Sequence, residues 1–117
     1  ALAGRYCAQL RGVGDIVLPF VPSWAEPVWH LFVIRTAHRD ALQAHLATRG
    51  IGTQIHYPIP PHLSNAYRGA GWHRGDFPLA EKFAAEVLSL PIGPHLPPEQ
   101  LDHVCASVRE FFTRSNP

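Results

Sequence analysis

Three prolines in four residues, Pro58, Pro60 and Pro61, close the segment IGTQIHYPIPPH and forbid a helix or a paired strand interior beyond Tyr57. The other prolines act at similar junctions. Pro19, Pro22 and Pro27 make residues 15–27 a loop with at most an edge strand at Ile16–Leu18. Pro78 fits the first turn of a helix, Pro91 ends what precedes it, and Pro98 opens a further helix.

Between these breaks the apolar spacing assigns the elements. Leu2, Tyr6 and Leu10 repeat every four residues, as one helical face does, and the RGVG glycines end that pattern. VWHLFVIRT, residues 28–36, is β-branched and aromatic and predicts a central strand. HRDALQAHLATRGIG predicts a helix with Leu42 and Leu46 on one face, Gly50 as its left-handed terminator and Ile51 folding back behind it. IGTQIHY then alternates Ile51, Thr53, Ile55 and Tyr57 against Gly52, Gln54 and His56, which predicts a strand with His56 and Tyr57 on opposite faces of its end. Asp76 suits a helix N-cap ahead of a stripe of Leu79, Phe83, Ala84, Val87 and Leu88, and Ile92 can add a short strand. In the last helix Leu101, Val104, Cys105, Val108, Phe111 and Phe112 form the strongest periodicity of the chain. With 117 residues the chain makes one small domain. The pattern implies an α+β fold of two layers, a short, mainly antiparallel sheet with amphipathic helices on one face, leaving the other face without a cover of its own.

Composition narrows the function classes. Ten basic and nine acidic residues give a formal charge of +1 with no basic stripe, so nothing points to nucleic acid or to an anionic membrane. The apolar run from Val28 to Ile34 is far short of the ~20 residues of a membrane span, and no signal peptide is visible. Cys7 and Cys105 read as free thiols of a reducing cytoplasm. His38 and His45 have the spacing of a solvated helix face, and His56 and His62 have no Cys or carboxylate at a recurrent ligand spacing, so no metal site is expected. Lys82, the single lysine, sits with Glu81 and Glu86 on the face opposite the apolar stripe, where nothing desolvates it for nucleophilic work. No serine lies in a nucleophile elbow. That leaves His56 and Tyr57, held beside a proline-stiffened turn. On the residues alone two readings of the pair stand: preorganised contacts for a ligand, or a core tyrosine beside a rim histidine.

VWHLFVIRTAHRDALQAHLATRGIGTQIHYPIPPHLSNAY, GDFPLAEKFAAEVLSLPIGPHL and PEQLDHVCASVREFF, in that order, closely resemble the C-terminal domain of the DegT/DnrJ/StrS family of pyridoxal-phosphate-dependent sugar aminotransferases, from Val28 to Phe112. The resemblance implies that residues 1–117 are the small C-terminal domain of a fold-type-I aminotransferase, and that the large domain with the cofactor lysine belongs ahead of Ala1. It implies pyridoxal phosphate in the full-length protein only, nucleotide-linked keto-sugars as acceptors, glutamate or glutamine as donor, and a cytoplasmic homodimer. It places no catalytic or cofactor-binding residue in this chain and brings the turn after IHYP toward the substrate, making His56 and Tyr57 the substrate-binding candidates. On strand alternation His56 is then expected to face the cleft and Tyr57 to pack into the domain. Some relatives of the fold dehydrate sugars instead, and a free-standing binding or dimerisation module is the alternative from a different class.

Overall fold

The computed structural model describes residues 2–114. Four helices, α1 (Leu2–Leu10), α2 (Arg39–Thr48), α3 (Pro78–Glu86) and α4 (Pro98–Arg114), accompany two strands, β1 (Phe32–Arg35) and β2 (Val87–Leu90). The strands pair antiparallel, Phe32 opposite Leu90 and Ile34 opposite Leu88. Single bridges extend the sheet on both sides, Val17 to Arg35 and Gln54 to Ser89, so β1 and β2 occupy its middle. Alternation sends Phe32, Ile34, Leu88 and Leu90 to one face, where all are buried with Tyr6 and Leu10 of α1, Leu42 and Leu46 of α2, and Leu101, Val104, Cys105 and Val108 of α4. This is the expected two-layer α+β domain. Val33, Arg35, Val87 and Ser89 point to the opposite face, where Phe83 of α3 lies 4.5 Å beneath the Arg35 guanidinium.

The helix ends follow local chemistry. In α2 the Gly50 N–H bonds Ala47 O and the Ile51 N–H bonds Leu46 O, with Gly50 at φ 75°, the predicted reversal that buries Ile51. Its start has no side-chain cap of its own. Asp15 instead accepts from the Ala37 N–H at 2.9 Å and from the Thr36 hydroxyl, which itself accepts from His38 N–H. After α1, Gly14 has φ 54°, and the Phe112 ring occupies the space a Cβ would take there. Cys105 is buried and its thiol is pushed up to about 11, chiefly by that burial, so it stays protonated and inert at neutral pH.

Five expectations are corrected. The strand expected over residues 28–36 is confined to Phe32–Arg35, because the chain before it leaves the ladder and Val28 is 94% exposed. IGTQIHY forms no strand; only Gln54 bridges β2, since Ile51 is committed to closing α2 and the prolines follow at once. The helix stripe expected to run through Val87 and Leu88 stops at Glu86, and the chain passes into β2 with no turn between. Apolar residues at 79, 83, 84, 87 and 88 fit a helical period, yet ladder pairing with β1 wins at Val87, while Leu79 and Phe83 stay exposed and Ile92 is in no strand. Phe77 takes the cap position of α3, and Asp76 accepts from His73 N–H instead.

Acid will unfold this domain through specific carboxylates. Hydrogen bonds from Arg5 and Gln9, with the Arg5 charge, hold Asp102 below the usual carboxylate range. Burial alone would raise Asp15, but its bonds from Thr36 and Ala37 prevail and hold it low too. Both values are depressed by folding, so the stabilisation is complete above the unfolded-state value near pH ~4 and is lost as pH falls through the folded values. In urea titrations against pH, Asp15→Asn and Asp102→Asn together should flatten the acid limb; an unchanged limb would show that other carboxylates govern it.

Candidate functional site

The site lies on the sheet face that α1, α2 and α4 leave uncovered. Ile55 packs against the core, and the chain then turns outward. The His56–Tyr57 peptide bond is cis. His56 is half-buried, and its Nδ1 lies 2.7 Å from the Ser89 hydroxyl of β2. The two rings meet edge to face, 5.4 Å apart at 87°. Tyr57 is 73% exposed, which overturns the expectation that it packs into the domain; strand alternation could not apply because no strand continues past Gln54.

His56 borders two hollows. One, of about 370 Å³, is mixed, with His30, Thr53, Gln54 and Ser89 on its polar side and Leu31, Leu90 and Ile92 on its apolar side. The other, of about 470 Å³, is apolar, walled by Tyr57, Ile59, Phe83 and Val87. An imidazole at the junction of a mixed and an apolar hollow can hydrogen-bond an oxygen-rich ligand whose apolar faces rest beside it. Lining the first hollow, Ser89 is the residue that sequence reasoning missed. Its signal was the VLSL run, in which a lone hydroxyl falls on the strand face opposite Leu88 and Leu90.

A third hollow, of about 260 Å³, lies past Pro61 among His62, Tyr67, Trp72 and Phe77. His62 is buried, its Nε2 3.1 Å from Glu81, and Glu81 also accepts from the Gly75 N–H at 2.7 Å. Burial would raise the Glu81 carboxyl, but the Gly75 bond and His62 hold it below the usual range. The carboxylate thereby ties the loop before α3 to the helix. Its neighbour Lys82 is exposed. His45, expected on a solvated face, instead points its Nε2 at Ser107 O of α4, 3.0 Å away. Among the described residues no group of three or more His, Cys, Asp or Glu is placed to hold a metal ion, and no helix is long and apolar enough to cross a membrane.

A two-layer α+β domain with a fixed histidine on the sheet face opposite its core is the class of structure these residues define. A model of the DegT/DnrJ/EryC1/StrS aminotransferase family matches residues 1–109. The chain belongs to that family. It is 53% identical over 108 residues to the erythromycin biosynthesis sensory transduction protein EryC1 of Saccharopolyspora erythraea, covering 92% of this chain and 30% of that protein. It is 51% identical over 114 residues to dTDP-3-amino-3,4,6-trideoxy-alpha-D-glucose transaminase of Streptomyces venezuelae, covering 97% of this chain and 30% of the relative. The crystal structure of S. venezuelae DesV in complex with a ketimine intermediate superposes with a TM-score of 0.92 at 50% identity, over 95% of this chain and 30% of that one. The chain thus spans about 30% of the length of these relatives.

Proposed function

We propose that this chain is the C-terminal, substrate-cleft domain of an aminotransferase that moves an amino group to a nucleotide-linked keto-sugar. One observation carries the reading to particular residues: His56, fixed by Ser89, stands where a hollow of mixed lining and an apolar one meet on the sheet face that α1, α2 and α4 leave uncovered. The family and the 30% coverage support the rest, namely a larger protein whose remaining part completes the cleft. In this reading the active form is a cytoplasmic homodimer, glutamate or glutamine gives the amino group, and His56 orients the sugar by hydrogen bonding while Tyr57 lies against its exposed side.

Pyridoxal phosphate, the family's cofactor, supplies the amino-group relay when bound. The residues present do not fit it. The cofactor requires a lysine whose amine is desolvated, whereas Lys82 is exposed on α3 beside Glu81 and away from the His56 hollows. The attachment lysine and phosphate site are therefore assigned to the rest of the protein. The role left to these residues is to bind and orient the acceptor and to wall it from water.

In the full-length protein, His56→Ala should lower kcat/KM for the keto-sugar by about 1–3 kcal/mol in transition-state terms, the value of one buried polar contact. Stability should fall as well, by about 1–3 kcal/mol, because the buried Ser89 hydroxyl loses its partner. Tyr57→Ala should cost less than about 0.5 kcal/mol of stability, as an exposed side chain does. Unaltered kinetics in His56→Ala would remove the histidine from the cleft and with it the proposed role of this face.

A further inference from the structure

The geometry points to Ser89 as the positioning residue for His56: its hydroxyl donates to Nδ1, holding the ring as the Nε2–H tautomer, with Nε2–H the donor offered to an oxygen of the ligand. This rests on the reading of His56 as a substrate contact.

Ser89 is 6% exposed in a strand whose neighbours are apolar. A hydroxyl so placed is unfavourable unless it is hydrogen-bonded, and His56 Nδ1 at 2.7 Å is its partner. The same residue fixes the approach of the histidine through its backbone. Ser89 N–H donates to Gln54 O at 2.8 Å, and Gln54 N–H donates to Ser89 O at 3.3 Å. Three hydrogen bonds from one residue thus set the position of the 54–56 segment and the rotation of the ring at its end. The edge contact with Tyr57 limits that rotation on the outer side. With Nδ1 occupied, Nε2 is the polar atom left over. No buried side-chain nitrogen or oxygen of the described residues lacks a partner, so Nε2, which makes no hydrogen bond in the protein, is reachable from solvent. The ring nitrogen bonded by an outer group decides which tautomer the other presents. A donor at Nε2 suits hydroxyl, carbonyl and phosphate oxygens, the groups in which a nucleotide-linked keto-sugar is rich. Ser89 itself is too enclosed, and its hydroxyl too committed, to act on substrate.

The test uses the full-length protein with 15N-labelled histidine, the His56 signals being assigned by their loss in His56→Ala. Wild type should show the Nε2–H tautomer in the neutral state and a nuclear Overhauser contact between the His56 and Tyr57 rings. Ser89→Ala should mix the tautomers and weaken that contact, and Ser89→Thr, which restores a hydroxyl, should recover both. With dTDP-linked keto-sugar as probe, Ser89→Ala should lower kcat/KM about tenfold, the factor that one hydrogen bond of ~1.4 kcal/mol represents. Ser89→Thr should retain most of the activity, melting should not change, and Ser89→Ala should add nothing in a His56→Ala background. An Nδ1–H tautomer in wild type, or ring signals indifferent to Ser89→Ala, would overturn the proposal. So would kinetic losses that add in the double variant, which would show Ser89 acting apart from His56. If His56→Ala leaves kinetics untouched while the ring still answers to Ser89, the hold of Ser89 on the ring stands and the cleft reading falls.

Discussion

Replacing Phe32 by alanine should destabilise this domain by about 3–5 kcal/mol, the largest loss expected of any single side chain here. Phe32 is fully buried in β1. Its ring stacks on Tyr6 of α1, centroids 4.7 Å apart at 24°, and meets Trp29 at 5.6 Å. Truncation would therefore open a cavity between the sheet and α1 and strip Tyr6 of its partner. Tyr6 is itself anchored, donating its hydroxyl to Pro91 O just after β2, with its phenol raised far above the ordinary value mainly by burial. Because that anchor resists collapse, the cavity should persist and the loss lie toward the upper end of the range. Urea unfolding followed by tryptophan fluorescence reads it, with Trp29 beside the lesion. A loss under about 1 kcal/mol would mean that the site closes up, as sites that relax do.

Arg39→Met should cost about 2–4 kcal/mol, although it removes an ion pair that contributes almost nothing. The partner carboxylate, Asp40, is 86% exposed, and pairs with exposed carboxylates are worth about 0–1 kcal/mol. What matters is at the other end of the guanidinium. Arg39 is buried, and its Nη1 donates to Ala84 O at 2.9 Å and to Val87 O at 3.1 Å. These carbonyls flank the point where α3 becomes β2, and each buried acceptor left without a donor costs about 1–3 kcal/mol. Arg39→Lys should recover little, since one ammonium cannot reproduce the planar fork. Asp40→Ala, measured beside it, should move the urea midpoint hardly at all. Equal losses from Arg39→Met and Asp40→Ala would put the energy in the ion pair instead.

The helices were legible where one residue type does one job. Gly50 with Ile51 announced the end of α2, and the i, i+3, i+4 spacing of Leu101, Val104, Cys105 and Val108 announced the buried face of α4. The sheet was less legible, because its ladder depends on partners far away in the chain. Nothing within residues 87–90 says that Leu88 will face Ile34, and a helical period runs through the same positions. The site divides in the same way. His56 could be singled out from its place beside the prolines, but Ser89, 33 positions on, becomes its partner only through β2. Tyr57 was misjudged for a related reason: the alternation that predicted its burial needs a continuous strand, and pairing ends at Gln54.

Passing from α3 into β2 without an intervening residue makes the two a single stiff bar. Hinges are residues whose dihedral angles can change without breaking a contact, and the junction has little such freedom: Arg39 grips Ala84 and Val87, and Thr36 N–H binds Glu86 O. One end of the bar carries Glu81, which anchors the loop of the aromatic hollow, and the other carries Ser89, which holds His56. A ligand or protein surface that tilted α3 would therefore swing the histidine as well, as a crank turns the shaft to which it is forged.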